Sequence, residues 1–276
     1  MIALYNFHSH SHHCDGKQPM EEYVQAAIDK KFIALGFSAH SPLPFPNEWS
    51  LTPESFKQYV QDARYLIEKY KNNIDLYLGL EIDYIPGHSE DFESFITNTP
   101  LDYHIGSVHL VRHSESGKIW FIDGPVEGYI KGVDEIFNGD YRAAVTAFYR
   151  QTIEMINTQK PQIIGHLDKV KMHNKQRWFS TSESWYQKLV DETLEATAKS
   201  KSIIELNTRG FYTGKIDQYF PSTKILEQCL EMGIPVMVNT DAHHPSQLDK
   251  HFNEAHQLLK KIGFKNVKTP FFELEL

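Results

Sequence analysis

The sequence predicts an α/β protein: a closed, somewhat irregular barrel of seven parallel strands joined by crossover helices. Three observations carry this expectation. Short apolar runs alternate with longer amphipathic stretches along the 276 residues, the pattern of strands linked by helices. The runs are rich in Ile, Leu, Val and Phe, as strands buried on both faces should be. Six of the seven runs end on a residue type that binds metals, which makes sense if the strand ends converge on one rim.

In chain order the expected strands are Ile2–Phe7, Ile33–Ser38, Ile74–Leu80, Tyr103–Val108, Gln162–Gly165, Ser202–Leu206 and Pro235–Asn239. The expected helices are Met20–Lys30, Pro53–Tyr70, Tyr141–Thr158, Ser182–Lys199, Ser222–Met232 and Ser246–Ile262, followed by a short strand near Lys268–Phe272. Thr52-Pro53-Glu54 is helix-start chemistry, an N-cap before proline at the first helical position. The segment Leu110–Asp140 carries Gly117, Gly124, Gly128, Gly132 and Gly139. It reads as a long loop over one face, with a short helix at most. With no internal repeat, low-complexity segment or linker, residues 1–276 are expected to form a single barrel domain.

Composition narrows the function. The chain is 41% hydrophobic and 23% charged, ordinary for a soluble globular protein. A net charge of -8 argues against binding a nucleic-acid backbone. It leaves room for an anionic substrate, because bound metal supplies positive charge locally. Two cysteines, Cys14 and Cys229, cannot organise a disulfide framework, which suits a reducing cytoplasm. The first residues lack the basic and apolar segments of a secretory leader. No stretch reaches the roughly 18 apolar residues of a membrane span.

The chain has 15 histidines, and position decides which of them matter. After the first run come His8 and His10, after the second His40 and after the third Glu81. His109 follows the fourth, His166 the fifth and Asn207 the sixth; Asp241 and His243 follow the seventh. A carboxylate such as Glu81 at the mouth of an apolar strand is costly unless compensated. Histidines placed for packing would not fall repeatedly at one end of successive strands. The donors are nitrogen and oxygen without thiolate, which suits zinc, manganese or iron held for catalysis. They are too many for one ion, so two or three divalent ions are expected. His88, His113, His251 and His256 read as solvated residues, and His104 as a packing residue.

These residues resemble the polymerase and histidinol phosphatase (PHP) superfamily. Its motifs are present in order: His8-X-His10 with Asp15, then Glu81, Gly106-Ser107-Val108-His109, and Asp241-Ala242-His243, with His40 and Gly165-His166-Leu167-Asp168 between. Phe7–His12, Gly36–Ser41, Gly79–Tyr84, Asp102–His109 and Glu205–Gly210 look like its histidinol-phosphatase branch. The resemblance implies a distorted, TIM-barrel-like (β/α)7 barrel with its site at the C-terminal strand ends. It implies one ion on His8, His10, Glu81 and Asp241, a second on Asp15, His40 and His243, and a third on Glu81, His109 and His166. Glu81, Asp241 and His243 are the expected catalytic positions. The implied reaction is hydrolysis of L-histidinol phosphate to L-histidinol and phosphate, in histidine biosynthesis, by a metal-bound hydroxide.

Arginine suits the remaining phosphate oxygens because its fork matches them. Arg177 and Arg209, with Asn207, are the expected substrate contacts; acidic groups of the Leu110–Asp140 segment, Glu115 and Asp123, are expected to read the amino and imidazole ends. Three rivals compete with this reading: a PHP phosphoesterase for nucleotides or another small phosphomonoester, a non-catalytic scaffold, and a metal-dependent amidohydrolase. The last would need a lysine at a strand end, and none is evident there.

Overall fold

The protein is described by a computed structural model over residues 3–89 and 91–276. The first half contains β1 (Leu4–Asn6), α1 (Met20–Asp29), β2 (Phe32–Phe37), α2 (Pro53–Tyr70), β3 (Asp75–Asp83), α3 (Phe92–Asn98) and β4 (Tyr103–Ser107). A hairpin of β5 (Leu110–Arg112) and β6 (Ile119–Phe121) follows, then α4 (Val126–Phe137), α5 (Tyr141–Gln159) and β7 (Ile163–Ile164). The chain continues through α6 (Ser184–Ser200), β8 (Ile203–Asn207), the short α7 (Arg209–Tyr212), α8 (Thr223–Glu231) and β9 (Val236–Asn239). It closes with α9 (Phe252–Ile262), β10 (Asn266–Lys268) and β11 (Glu273–Glu275). Among the described residues, no helix is long and apolar enough to cross a membrane.

All seven expected strands form one parallel sheet in the order β1-β2-β3-β4-β7-β8-β9. The expected first run began at Ile2, which lies outside the described residues. The sheet curls into a barrel whose seam, between β1 and β9, is joined largely by side chains. Asn239 Oδ1 accepts from Phe7 N at 2.8 Å, Asn6 Oδ1 from Thr240 N at 2.8 Å, and Tyr5 Oη from Val238 N at 3.2 Å. Backbone pairing resumes only beyond the strand ends, where His10 N donates to Ala242 O and Ala242 N to His8 O. Short strands and a side-chain seam are what distort the barrel.

Aromatic rings fill its floor. Gly36 and Gly79 leave room for Tyr103, whose ring or hydroxyl lies 2.3 Å from where either Cβ would stand. The Tyr103 hydroxyl lies 2.7 Å from Phe7 O and 3.0 Å from Phe37 O, so it is satisfied. Phe271, in the turn between β10 and β11, stacks on Tyr77 at 3.8 Å and meets Phe7 and Tyr103. The C-terminal strand expected near Lys268–Phe272 is thus a hairpin whose turn plugs the barrel.

The helix start at Thr52 is a reciprocal capping box, with Ser55 taking the role usually given to Glu. The expected helix from Ser246 begins instead at Phe252, after a 3-10 turn over Pro245–Gln247. The segment Leu110–Asp140 corrects the sequence expectation of a long loop: it is a hairpin followed by a 12-residue helix. Its glycines misled for a physical reason. Gly117 has a positive φ of 69° in the hairpin turn, which glycine accommodates without strain. Gly132 sits inside α4 because Trp120 packs against it, leaving no space for a Cβ.

Candidate metal centre

The residues at the strand ends meet in one buried cluster centred on Glu81. Glu81 lies within β3 rather than after it, because that strand runs on to Asp83, and it is 1% exposed. Its Oε2 is 3.2 Å from His8 Nε2, 3.4 Å from His10 Nε2 and 3.1 Å from His40 Nδ1. Its Oε1 is 3.1 Å from His166 Nε2 and 3.9 Å from His109 Nε2, and accepts from Ser107 Oγ at 2.6 Å. Asp241 Oδ1 stands 3.4 Å from both His10 Nε2 and His243 Nδ1. Asp15 Oδ2 is 3.0 Å from His243 Nε2, and its Oδ1 faces His10 and His40. Donor atoms converge within 4.8 Å in four overlapping groups: His10, Asp15, His40 and His243; His8, His10 and Glu81; His8, His166 and Asp241; and His40, Glu81 and His109. All nine sequence-picked ligand candidates are therefore brought together, although His10, His40 and His166 each stand between sets that the resemblance kept apart.

Backbone strain and buried carboxylates aim these side chains. His166 and Asp241 adopt positive φ values of 24° and 50°, a conformation that costs non-glycine residues energy and concentrates at functional sites. His8 Nδ1 lies 2.6 Å from Glu205 Oε1, and His109 Nδ1 lies 2.7 Å from Asp83 Oδ1. A carboxylate behind an imidazole fixes its tautomer and leaves the other nitrogen free for a cation. Asn207 Nδ2 donates to Glu205 Oε2 and Asp241 Oδ2, and Asn239 Nδ2 donates to Glu205 Oε1. Sequence reasoning missed Glu205, Asp83 and Asn239 as site residues. The available signal was a polar residue inside an otherwise apolar strand.

The free atoms left over test whether metal fits. His8 Nε2, His10 Nε2, His40 Nδ1, Asp15 Oδ1, Asp83 Oδ2 and Asp241 Oδ1 are buried without a hydrogen-bond partner. Buried polar atoms are rarely left so, and stranding them costs free energy. Divalent cations with imidazole and carboxylate ligands satisfy them together, so the residues fit such ions. Burial opposes charge on His8 and His40, but neighbouring carboxylates raise His8 well above its usual value and His40 to about 9, so the imidazoles themselves carry positive charge beside the carboxylates. Burial opposes charge on Glu81, but His8, His40 and His109 hold its carboxyl well below the usual range. Burial likewise opposes charge on Asp241, and His8, His10 and Arg209 overcome it. Burial, with His243 and His40 as neighbours, pulls His10 down to about 3, and burial with Lys169 pulls His166 to about 4. Both are neutral donors near pH 7.

Outside this cluster the cavity, of about 280 Å³, has a cationic wall. Lys169, Lys215 and Arg209 line it with Asp123, Trp49 and Phe121. Arg209 Nη1 donates to Asp241 O at 3.1 Å, and Trp49 stacks on Phe121 at 5.8 Å. Of the expected substrate contacts, only Arg209 lines this cavity. Arg177 is exposed and lies over the Trp178 ring. Asn207 is wholly buried with its amide committed to Glu205 and Asp241, so it positions the site from below. Asp123 is in the wall, whereas Glu115 is exposed near the hairpin tip. Sequence reasoning did not pick out Lys169, which lies in a 3-10 turn beyond β7 and whose Nζ reaches to 3.0 Å from His109 Nε2. His256, expected to be solvated, is buried against Tyr5.

Comparisons with known proteins agree with this arrangement. A Schizosaccharomyces pombe protein named "Probable histidinol-phosphatase" is 29% identical over 94% of this chain and 87% of its own length. A Lactococcus lactis histidinol-phosphatase is 28% identical, covering 96% of this chain and 93% of its own. The fold matches the crystal structure of a Lactococcus lactis histidinol phosphate phosphatase in complex with zinc, L-histidinol and phosphate, with a TM-score of 0.71 and 21% identity over 99% of each chain. The family model of the PHP domain matches residues 6–209, and the chain belongs to that family.

Proposed function

We propose that this single-domain chain is a metal-dependent phosphomonoesterase that hydrolyses L-histidinol phosphate to L-histidinol and phosphate in the cytoplasm. The observation that carries this reading is the convergence of nine nitrogen and oxygen donors on one rim, faced by a wall with two lysines and an arginine. The relatives named for this activity, which span nearly the whole chain, support the choice of substrate.

Two to three divalent ions, zinc, manganese or iron, would be held by His8, His10, Glu81 and Asp241, by Asp15, His40 and His243, and by Glu81, His109 and His166. Such ions neutralise a phosphate dianion and acidify water toward neutral pH. The chain's own residues do the rest. Glu81 and Asp241, held ionised, fix the cluster's centre. Glu205 and Asp83 set the tautomers of His8 and His109. Arg209 presents a cation toward the phosphate oxygens while its Nη1 is anchored on Asp241 O. Trp49 and Phe121 stack at the mouth and give it an apolar side.

The test is phosphate release by purified, metal-replete protein from histidinol phosphate, set against nucleotides and a generic aryl phosphate. Preferential hydrolysis of histidinol phosphate is expected. Equal turnover of all would reduce the reading to a general phosphoesterase, and no turnover of any would overturn it.

A further inference from the structure

The carboxylate of Asp123 bridges two ammonium groups in the cavity wall. Its Oδ2 lies 2.6 Å from Lys169 Nζ and its Oδ1 lies 3.0 Å from Lys215 Nζ. The three side chains are 24%, 7% and 37% exposed, so the bridge is sheltered but opens on the cavity. Each group comes from a different loop: Asp123 follows β6, Lys169 follows β7 and Lys215 follows α7. The cluster is therefore assembled by the fold rather than by a local turn. Arg209 stands beside it in the same wall. Lys169 also contacts His109 Nε2 at 3.0 Å, which places its charge between the wall and the metal cluster.

Count the charges a ligand meets. Within the wall two lysines and an arginine stand with one carboxylate, the cavity's other carboxylates, Asp15, Glu81 and Asp241, belonging to the metal cluster; the wall by itself is suited to a phosphate dianion. When phosphate oxygens engage the lysines, Asp123 loses the partners that keep it ionised; burial opposes its charge, and Lys169 and Lys215 now hold it well below the carboxylate range. A ligand that brings only an anion leaves this carboxylate, three-quarters screened from solvent, without a counter-charge. A ligand that also brings an ammonium, within a few bonds of the phosphate, replaces what it took away. Discrimination by leaving a buried polar group unpaired is much stronger than discrimination by fit.

We infer that Asp123, Lys169 and Lys215 form an ion-exchange latch that selects phosphomonoesters carrying an ammonium group close to the ester oxygen. The lysines pass to the phosphate and Asp123 passes to the ammonium. This rests on the phosphatase reading above and deepens it, because it assigns substrate choice to an exchange of partners within the wall. Lys169 and Asp123 then act in opposite directions on a bare phosphate: the first attracts it, and the second competes with it.

The test compares phosphoethanolamine with ethyl phosphate, which differ by the ammonium, on metal-replete wild type, Asp123→Asn and Lys169→Met. Metal content and circular dichroism check each variant's integrity. Wild type should prefer phosphoethanolamine in kcat/KM by at least about tenfold. Asp123→Asn should bring that ratio near one, and calorimetry should show inorganic phosphate binding several-fold tighter. Lys169→Met should weaken both esters together, and inorganic phosphate by about tenfold. If wild type turns over both esters equally, or if Asp123→Asn and Lys169→Met both weaken phosphate, the latch is only a structural ion pair, and the phosphatase reading stands. If wild type hydrolyses neither, the phosphatase reading fails, and calorimetry of the same compounds still decides the latch: equal affinity for both esters overturns it.

Discussion

Inside the barrel, below the C-terminal ends of its strands, the rings of Phe7, Tyr77, Tyr103 and Phe271 pack together, and the Tyr103 hydroxyl is satisfied by two carbonyls. At those ends, the space is lined by imidazoles and carboxylates, six of whose buried atoms have no hydrogen-bond partner. One set of strands thus carries two opposite chemistries. The floor is closed and satisfied, as a region selected for stability should be. The mouth is costly to the fold, and a barrel tolerates such a cost where it keeps its site. The boundary is sharp: Phe7 belongs to the floor and His8 to the mouth.

The sharpest way to break this comparison is at the centre of the mouth. Glu81→Ala should remove at least one ion and lower kcat/KM by on the order of 10³-fold or more, while circular dichroism reports an intact barrel. Retained metal and turnover would make Glu81 only a polar strand residue. Behind the ligands, Glu205→Gln and Asp83→Asn should each weaken metal binding by about 10–100-fold, measured by chelator competition. Unchanged affinity would mean that these carboxylates merely fill space.

At the floor the same scale of change should touch stability alone. Phe271→Ala removes a half-buried ring from the plug and should cost about 2 kcal/mol, less than the 3–5 kcal/mol of a fully buried Phe. Thermal melts should show the loss with metal content unchanged; a loss of metal would mean the two ends are coupled. Acid sensitivity away from the mouth is a separate effect on stability, read as a slope with pH. Burial pulls His104 and His256 down to about 4, against a partial opposing effect of Gln162 and of Phe252 O respectively. Their folded pKa values lie below the unfolded value near 6.5, so each stays neutral while the unfolded chain gains a proton. Stability present above pH 6.5 should therefore fall as pH drops toward 4, by up to about 1.4 kcal/mol per pH unit for each group. Urea melts of His256→Gln should show a shallower acid slope; an unchanged slope would remove His256 from the account.

The mouth was far more legible in the sequence than its wall. Strand ends declare themselves, because an apolar run that stops at histidine or a carboxylate has few structural reasons to do so. Parallel strands then bring such stops together whatever the details of register. Of the wall, Arg209 and Asp123 were expected, but the lysines lack any such signal. Lys169 and Lys215 sit in turns where a lysine is ordinarily solvated, and only the folded loops turn them inward. Arg177 shows the converse, since an arginine after a strand looked well placed and is on the surface. The hairpin and α4 were hidden because Gly117 and Gly132 read alike in sequence, though one makes a turn and the other receives Trp120. Glu205 was hidden inside an apolar run and Asn239 at the last position of one, and the role of each depends on which strand lies alongside.

Metal content tests the central claim most directly, because every role given to the mouth depends on its donors holding cations. Elemental analysis of gently purified protein, repeated after reconstitution with zinc, manganese or iron, should find two to three ions per chain, and fewer in Glu81→Ala. A value near zero that reconstitution cannot raise, in protein that circular dichroism shows to be folded, would contradict the account.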